Sequence, residues 1–213
     1  MKKASFILLV VTLLFNLSAM TQTKVVKFVI HTDMGDMKGI LYNETPKHRD
    51  NFVKLANSGF YNGLLFHRVI SGFMIQGGDP DSKNAQSGAR LGMGNPGYTV
   101  PAEINPKLIH KKGALAAARV GGPSNPQKAS SGSQFYIVQG RKFPAGSLGA
   151  SKYTPEQLKI YETIGGTPQL DGDYTVYGEI TEGLDVIDKI AGVAKDPNDR
   201  PLKDIKMTVK IVE

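Results

Sequence analysis

The chain has 213 residues, with 24 Gly, 12 Pro and no Cys, which excludes a disulfide framework, thiol chemistry and a lipid-modified cysteine. A hydrophobic content of 40% and a charged content of 21% fit one globular domain with its own core. The formal charge of +7 is scattered along the chain rather than gathered into Lys/Arg blocks interleaved with aromatics, which argues against a nucleic-acid binder.

Residues 1–21 have the layout of a secretory signal peptide. Lys2 and Lys3 lead, Phe6 to Phe15 is apolar except for Thr12, and small or polar residues follow through Gln22. The apolar run is shorter than the ~20 residues of a comfortable membrane span. The expected outcome is cleavage after Ala19 or Thr21, no stable membrane insertion afterwards, and a periplasmic or secreted product.

Val25 to Thr32 reads as a strand, Asp33-Met34-Gly35-Asp36 as a turn, and Met37 to Tyr42 as the return strand. Thr45-Pro46 opens a helix, with Thr45 as its cap and Gly59 as its stop. Phe52, Leu55 and Ala56 mark its apolar face. Phe66–Ile70 and Phe73–Gln76 read as strands around Ser71-Gly72, and residues 78–97 as a long loop. Further strands are expected at Tyr98–Glu103, Ala114–Ala118, Ser133–Gln139, Thr175–Ile180 and Lys206–Val212. A helix is expected over Glu182–Ala191. Another follows Thr154-Pro155-Glu156-Gln157, which combines a capping box with proline at the first helical position. Many short strands with few helices suggest a closed antiparallel barrel.

Several patterns carry no function. Gly92-Met93-Gly94-Asn95-Pro96-Gly97 matches a dinucleotide fingerprint literally, but a loop precedes it and Pro96 interrupts it. His31, His48 and His110 are too scattered for recognisable metal-ligand spacing. Asn43-Glu44-Thr45 fits a helix start as well as a glycosylation acceptor.

The functional signal is Phe66-His67-Arg68-Val69-Ile70-Ser71-Gly72-Phe73-Met74-Ile75-Gln76-Gly77-Gly78-Asp79, one guanidinium among large apolar side chains. Two further blocks follow in order. One is Gly113-Ala114-Leu115-Ala116-Ala117-Ala118-Arg119 with Gly132-Ser133-Gln134-Phe135-Tyr136-Ile137. The other is Leu170-Asp171-Gly172-Asp173-Tyr174-Thr175-Val176-Tyr177-Gly178-Glu179-Ile180. Together they resemble the cyclophilin family of peptidyl-prolyl cis-trans isomerases, from about Val25 to Val212. The resemblance implies an eight-stranded antiparallel barrel capped by two α-helices, here with an extra helical insertion near 154–164.

By motif, Arg68 matches the catalytic arginine. Phe73, Met74 and Gln76 match the proline pocket and its edge, and Ala118 with Arg119 the pair that binds the substrate backbone. Gln134 matches the glutamine near the adjoining groove. Tyr136 stands where relatives often have Phe, Leu170 matches the pocket leucine, and Tyr174 falls where many relatives have His. Gln169 departs from the tryptophan common in eukaryotic relatives, and Arg119 from a common asparagine. The segment from about Arg141 to Pro168 is longer than in compact members.

The implied activity is rotation about Xaa-Pro bonds in proline-containing peptides and unfolded segments of exported proteins. A monomer that needs no cofactor, metal or nucleophile is expected. His67 is read as structural or groove-lining, because the reaction transfers no obligatory proton. A proline-peptide-binding module or chaperone with little turnover is the rival reading, favoured by the long segment and Gln169 and opposed by Arg68, Phe73, Met74 and Gln76.

Overall fold

The computed structural model describes residues 25–212, so the leader reading lies outside the described residues. Eight strands close into an antiparallel barrel. In chain order they are β1 (Val26–Thr32), β2 (Gly35–Leu41), β3 (Leu64–Ile70), β4 (Met74–Gly77), β6 (Ala114–Ala117), β8 (Phe135–Val138), β9 (Val176–Glu182) and β10 (Lys206–Val212). Around the barrel the order is β1-β10-β3-β4-β8-β6-β9-β2. A separate two-stranded ribbon joins β5 (Thr99–Val100) to β7 (Ser130–Ser131).

Alternation along each strand divides the side chains between two cores. Phe28, Ile30, Met37, Leu41, Ile75, Leu115, Phe135, Ile137 and Val209 belong to the larger cluster. Helix α1 (Pro46–Asn57) adds Phe52, Leu55 and Ala56 to it, and α3 (Leu184–Ala191) adds Val186, Ile187 and Ile190. The Phe52 ring meets Phe28 edge-on at 5.4 Å and Phe135 at 5.8 Å. The alternate residues of β4, β6 and β8 form a second cluster: Met74, Ala114, Ala116, Tyr136 and Val138, joined by Ala118 and Val176. This second face is the outside of the barrel wall, and loops pack onto it through Phe73, Leu170 and Tyr174.

Most expected elements occur, with informative differences. Thr45 does not cap α1. Its side chain makes no cap hydrogen bond, and its hydroxyl is buried without a partner. The Glu103 carboxylate takes that place, accepting the backbone N–H groups of Lys47 (3.0 Å) and His48 (2.9 Å) and the His48 ring (2.7 Å). A charged acceptor at a helix N-terminus is the stronger ligand for free N–H groups. The strand expected over Tyr98–Glu103 shrinks to Thr99–Val100, because Pro101 has no N–H to continue the ladder. Thr181 and Glu182 extend β9 rather than open the next helix, which begins at Leu184 after Gly183 in a left-handed conformation at φ 85°. The expected Ser133–Gln139 strand is confined to Phe135–Val138.

The insertion carries α2 (Pro155–Thr163). Its capping box forms as the sequence reading requires: Thr154 Oγ1 accepts from the Gln157 N–H, and the Gln157 side chain accepts from the Thr154 N–H. Gly166 locks the segment onto the barrel rim. It makes isolated bridges to both Lys111 and Arg141. A Cβ there would overlap the His110 carbonyl and the Tyr161 ring.

Candidate active site

The strand β3 places two side chains three residues apart, Phe66 and Val69, in the inner core. Strict alternation would send one of them outward. A bulge between Phe66 and Arg68 resolves this, since Phe66 pairs with Gly77 and Arg68 with Gln76. The extra residue is His67, and the shift aims Arg68 at the outer face alongside Gln76. Farther on, Gly78 at φ 87° turns the chain where a Cβ would overlap the Ser133 carbonyl.

Nine of the ten expected site residues then line one hollow of about 120 Å³: Arg68, Phe73, Met74, Gln76, Ala118, Arg119, Tyr136, Leu170 and Tyr174. Met74 and Tyr136 form its buried floor, exposed by only 2% and 4%. The tenth, Gln134, stands behind Gln76 and lines the adjoining groove with Gly92, Gly94, Ala118 and Arg119.

The arginine is part of a polar chain. Arg68 Nη1 lies 3.5 Å from Gln76 Oε1, and Gln76 Nε2 donates to Gln134 Oε1 at 3.1 Å. Gln134 Nε2 donates in turn to the carbonyls of Gly92 (3.0 Å) and Gly94 (2.8 Å). This fixes the amide orientations, so each oxygen faces the arginine side. Asp199 approaches the back of the guanidinium, with Oδ2 3.9 Å from Nε, and is itself paired with Lys195 at 2.6 Å. Arg68 therefore keeps N–H groups free for a ligand while the charge stays oriented.

Arg119 does different work. Its Nε donates to the Asp173 carbonyl at 3.0 Å, its guanidinium lies 4.5 Å from the centre of the Tyr174 ring, and Lys128 pairs with Asp173 at 2.5 Å. The side chain clamps the loop that brings Leu170 and Tyr174 to the hollow.

Behind the floor runs a second polar chain. The Tyr136 hydroxyl is pushed well above its ordinary pKa by burial, then by the neighbouring Tyr174 and Asp171, so it keeps its proton. It meets His110 Nε2 at 3.0 Å, while His110 Nδ1 donates to Asp171 at 2.7 Å. The second Asp171 oxygen accepts a short hydrogen bond from Tyr161 of α2. Burial alone would raise the Asp171 carboxyl, but the hydrogen bonds from His110 and Tyr161 outweigh it and hold the group below the ordinary value.

His67 is the opposite case. It is 3% exposed, and neither ring nitrogen has a partner. Burial lowers its pKa to about 4, against smaller upward pulls from Asp79 and from the Leu65 backbone, which approaches the ring without forming a well-aligned hydrogen bond. Sequence reasoning missed Asp199, His110, Asp171 and Tyr161. Asp171 sits inside a quoted block, but nothing local marks it as the partner of His110.

The closed barrel thus carries a cation beside an apolar hollow on its outer wall. Residues 27–211 match the family described as "Cyclophilin type peptidyl-prolyl cis-trans isomerase/CLD". A relative from Staphylococcus saprophyticus, whose name provisionally assigns it to the peptidyl-prolyl cis-trans isomerases, is 39% identical over 88% of this chain and 92% of its own. A Staphylococcus aureus protein with the same name is 38% identical over 84% of this chain and 88% of its own. A crystal structure of a cyclophilin type peptidyl-prolyl cis-trans isomerase from Cryptosporidium parvum superposes with a TM-score of 0.66 at 26% identity, covering 89% of this chain and 99% of that one. The same protein in the presence of the dipeptide Ala-Pro gives 0.64 at 27% identity, covering 88% and 99%. The chain belongs to the cyclophilin-type peptidyl-prolyl cis-trans isomerase family and is an isomerase of that class.

Proposed function

We propose that the hollow holds a substrate proline ring and that Arg68 stabilises the twisted amide. The observation that carries this is the position of Arg68 beside a hollow floored by Met74 and Tyr136 and edged by Phe73 and Leu170.

Amide resonance sets an Xaa-Pro barrier of ~18–20 kcal/mol. At the midpoint of rotation the resonance is broken, and the prolyl nitrogen becomes pyramidal with a localised lone pair. A donor aimed at that nitrogen binds the twisted state and finds little to bind in either planar state, which is the condition for lowering the barrier. The guanidinium remains charged at any working pH. Phe73, Met74, Leu170 and Tyr136 grip the ring and exclude water. Ala118 and Arg119 bind the substrate backbone, while Gln76 and Gln134 keep the arginine aligned and Tyr174 closes the side.

An acceleration of ~10⁴–10⁵-fold needs about 5.5–7 kcal/mol. Charge-assisted hydrogen bonds at ~1.5–3 kcal/mol each supply a large part, and orientation in a dry hollow the remainder. The proposed clients are proline-containing segments of other exported proteins, a reading that rests on the leader-like residues 1–21. The test is NMR exchange on an Xaa-Pro peptide, comparing the protein with Arg68→Ala. Undiminished exchange in the variant would remove Arg68 from its role.

A further inference from the structure

The insertion builds a second cleft against the hollow. It measures about 750 Å³, against about 120 Å³ for the hollow, so it has room for several residues. Phe73 lines both spaces, and the neighbours Gln169 and Leu170 line the cleft and the hollow respectively. A chain with its proline in the hollow can leave over Phe73 directly into the cleft. The other flank, shared through Gln76, Ala118 and Arg119, opens into the Gln134 groove.

The cleft wall alternates cations and rings. Arg141 lies 5.5 Å from the centre of Phe143, and Lys152 lies 5.3 Å from the centre of Tyr153. All four line the cleft, and among the described residues no Asp or Glu does. The nearby carboxylates are already engaged, Asp171 by His110, Tyr161 and the cleft residue Tyr153, and Asp173 by Lys128. Lys152 makes a long 3.4 Å contact to the Asp171 carbonyl and lies close enough to Asp173 to help hold that carboxyl below its ordinary value, without forming an ion pair with it. Two exposed cations over aromatic faces therefore form no ion pair among the described residues.

We propose that this cleft is an accessory substrate subsite that selects peptides carrying an Asp or Glu within a few residues of the proline, with Arg141 and Lys152 as the specificity-determining side chains. The proposal rests on the reading of the hollow as the proline site. Charge complementarity favours the acid, and continuity across Phe73 favours a segment of the substrate itself over a separate ligand.

The probes are short peptides with a central Ala-Pro. They carry Asp a few residues before or after the proline, each matched by an Asn peptide. Binding is followed by NMR titration and turnover by exchange, at low and high salt. For one of the two placements the Asp peptide should bind about 3- to 10-fold more tightly than its Asn partner, the range of one or two exposed ion pairs. The ratio should fall to about one in R141Q/K152Q and persist in K206Q/K210Q, a pair of exposed lysines on β10. Exchange of the Asn peptides should be unchanged in both. Arg68→Ala should lose turnover and keep the ratio. A ratio near one for both placements, or one that survives R141Q/K152Q, overturns the proposal. Absent turnover in the unmutated protein, with the ratio intact, would instead strike the reading of the hollow and leave the cleft standing.

Discussion

His67 and His110 are both buried, yet their surroundings differ completely. His67 belongs to the strand that carries Arg68, sits in a bulge, and has no hydrogen-bond partner on either nitrogen. His110 belongs to the segment that meets the insertion, and both of its nitrogens are engaged, by Asp171 and Tyr136. One region fits its imidazole as an apolar filler while keeping a charge poised next door. The other spends its polar groups on holding the pocket floor. The arginine side thus leaves a charge unspent beside the hollow, and the insertion side holds the floor in position.

The largest test of that division is Arg68→Ala. It should lower kcat/KM by about 100-fold or more, roughly the ~3 kcal/mol of a charge-assisted hydrogen bond. The melting temperature should barely move, because the side chain is 43% exposed. A large loss of stability would break the comparison by making Arg68 structural.

The second test is pH. His67 has a folded pKa lowered to about 4, against roughly 6.5 for the unfolded chain. Between these values the unfolded chain binds a proton that the native state refuses. Stability therefore falls as pH drops through that window, by about 3 kcal/mol in all. His67→Leu should flatten this part of the profile in urea unfolding followed from pH 7.5 to 4. Asp171 has the opposite place in the titration. Its folded pKa is depressed, so its support is present above the unfolded value near 3.9 and is lost only as pH falls below it. The arginine side should weaken first on acidification. A profile unchanged by His67→Leu would show that the bare imidazole is not what loosens the fold.

Next is Asp171→Asn, which trades a charged acceptor for a neutral one between His110 and Tyr161. The expected cost is about 2 kcal/mol in unfolding. KM should rise with kcat nearly unchanged, since Leu170 and Tyr136 shift while Arg68 does not. Smallest is Thr154→Ala, which removes half of the capping box and should cost α2 about 1 kcal/mol. Hydrogen exchange should quicken in α2 alone, leaving the barrel and the turnover of a neutral peptide as they were.

What the sequence made legible follows the range of the forces involved. Strand alternation and the Thr154 capping box are local, and both form much as the residues dictate. The hollow was legible because its walls fall in three contiguous blocks whose likeness to a family could be compared. Contacts set by distant residues were not legible. Glu103 displaces Thr45 as the α1 cap by reaching His48 across 55 residues. His110 finds Asp171 across 61 residues. The bulge that turns Arg68 outward arises because Phe66 and Val69 both demand the core, a conflict visible only once the barrel closes.

The insertion leaves the barrel and returns to it at almost one point. Arg141 and Gly166 exchange backbone hydrogen bonds in both directions, at 3.2 and 3.0 Å, so the segment hangs from a pinched neck. The entropy of closing such a loop grows only slowly with its length. This neck is a natural graft junction: another lobe could replace residues 142–165, giving the enzyme a new clientele so long as it keeps a donor in the place of Tyr161 to hold Asp171 beneath the pocket floor.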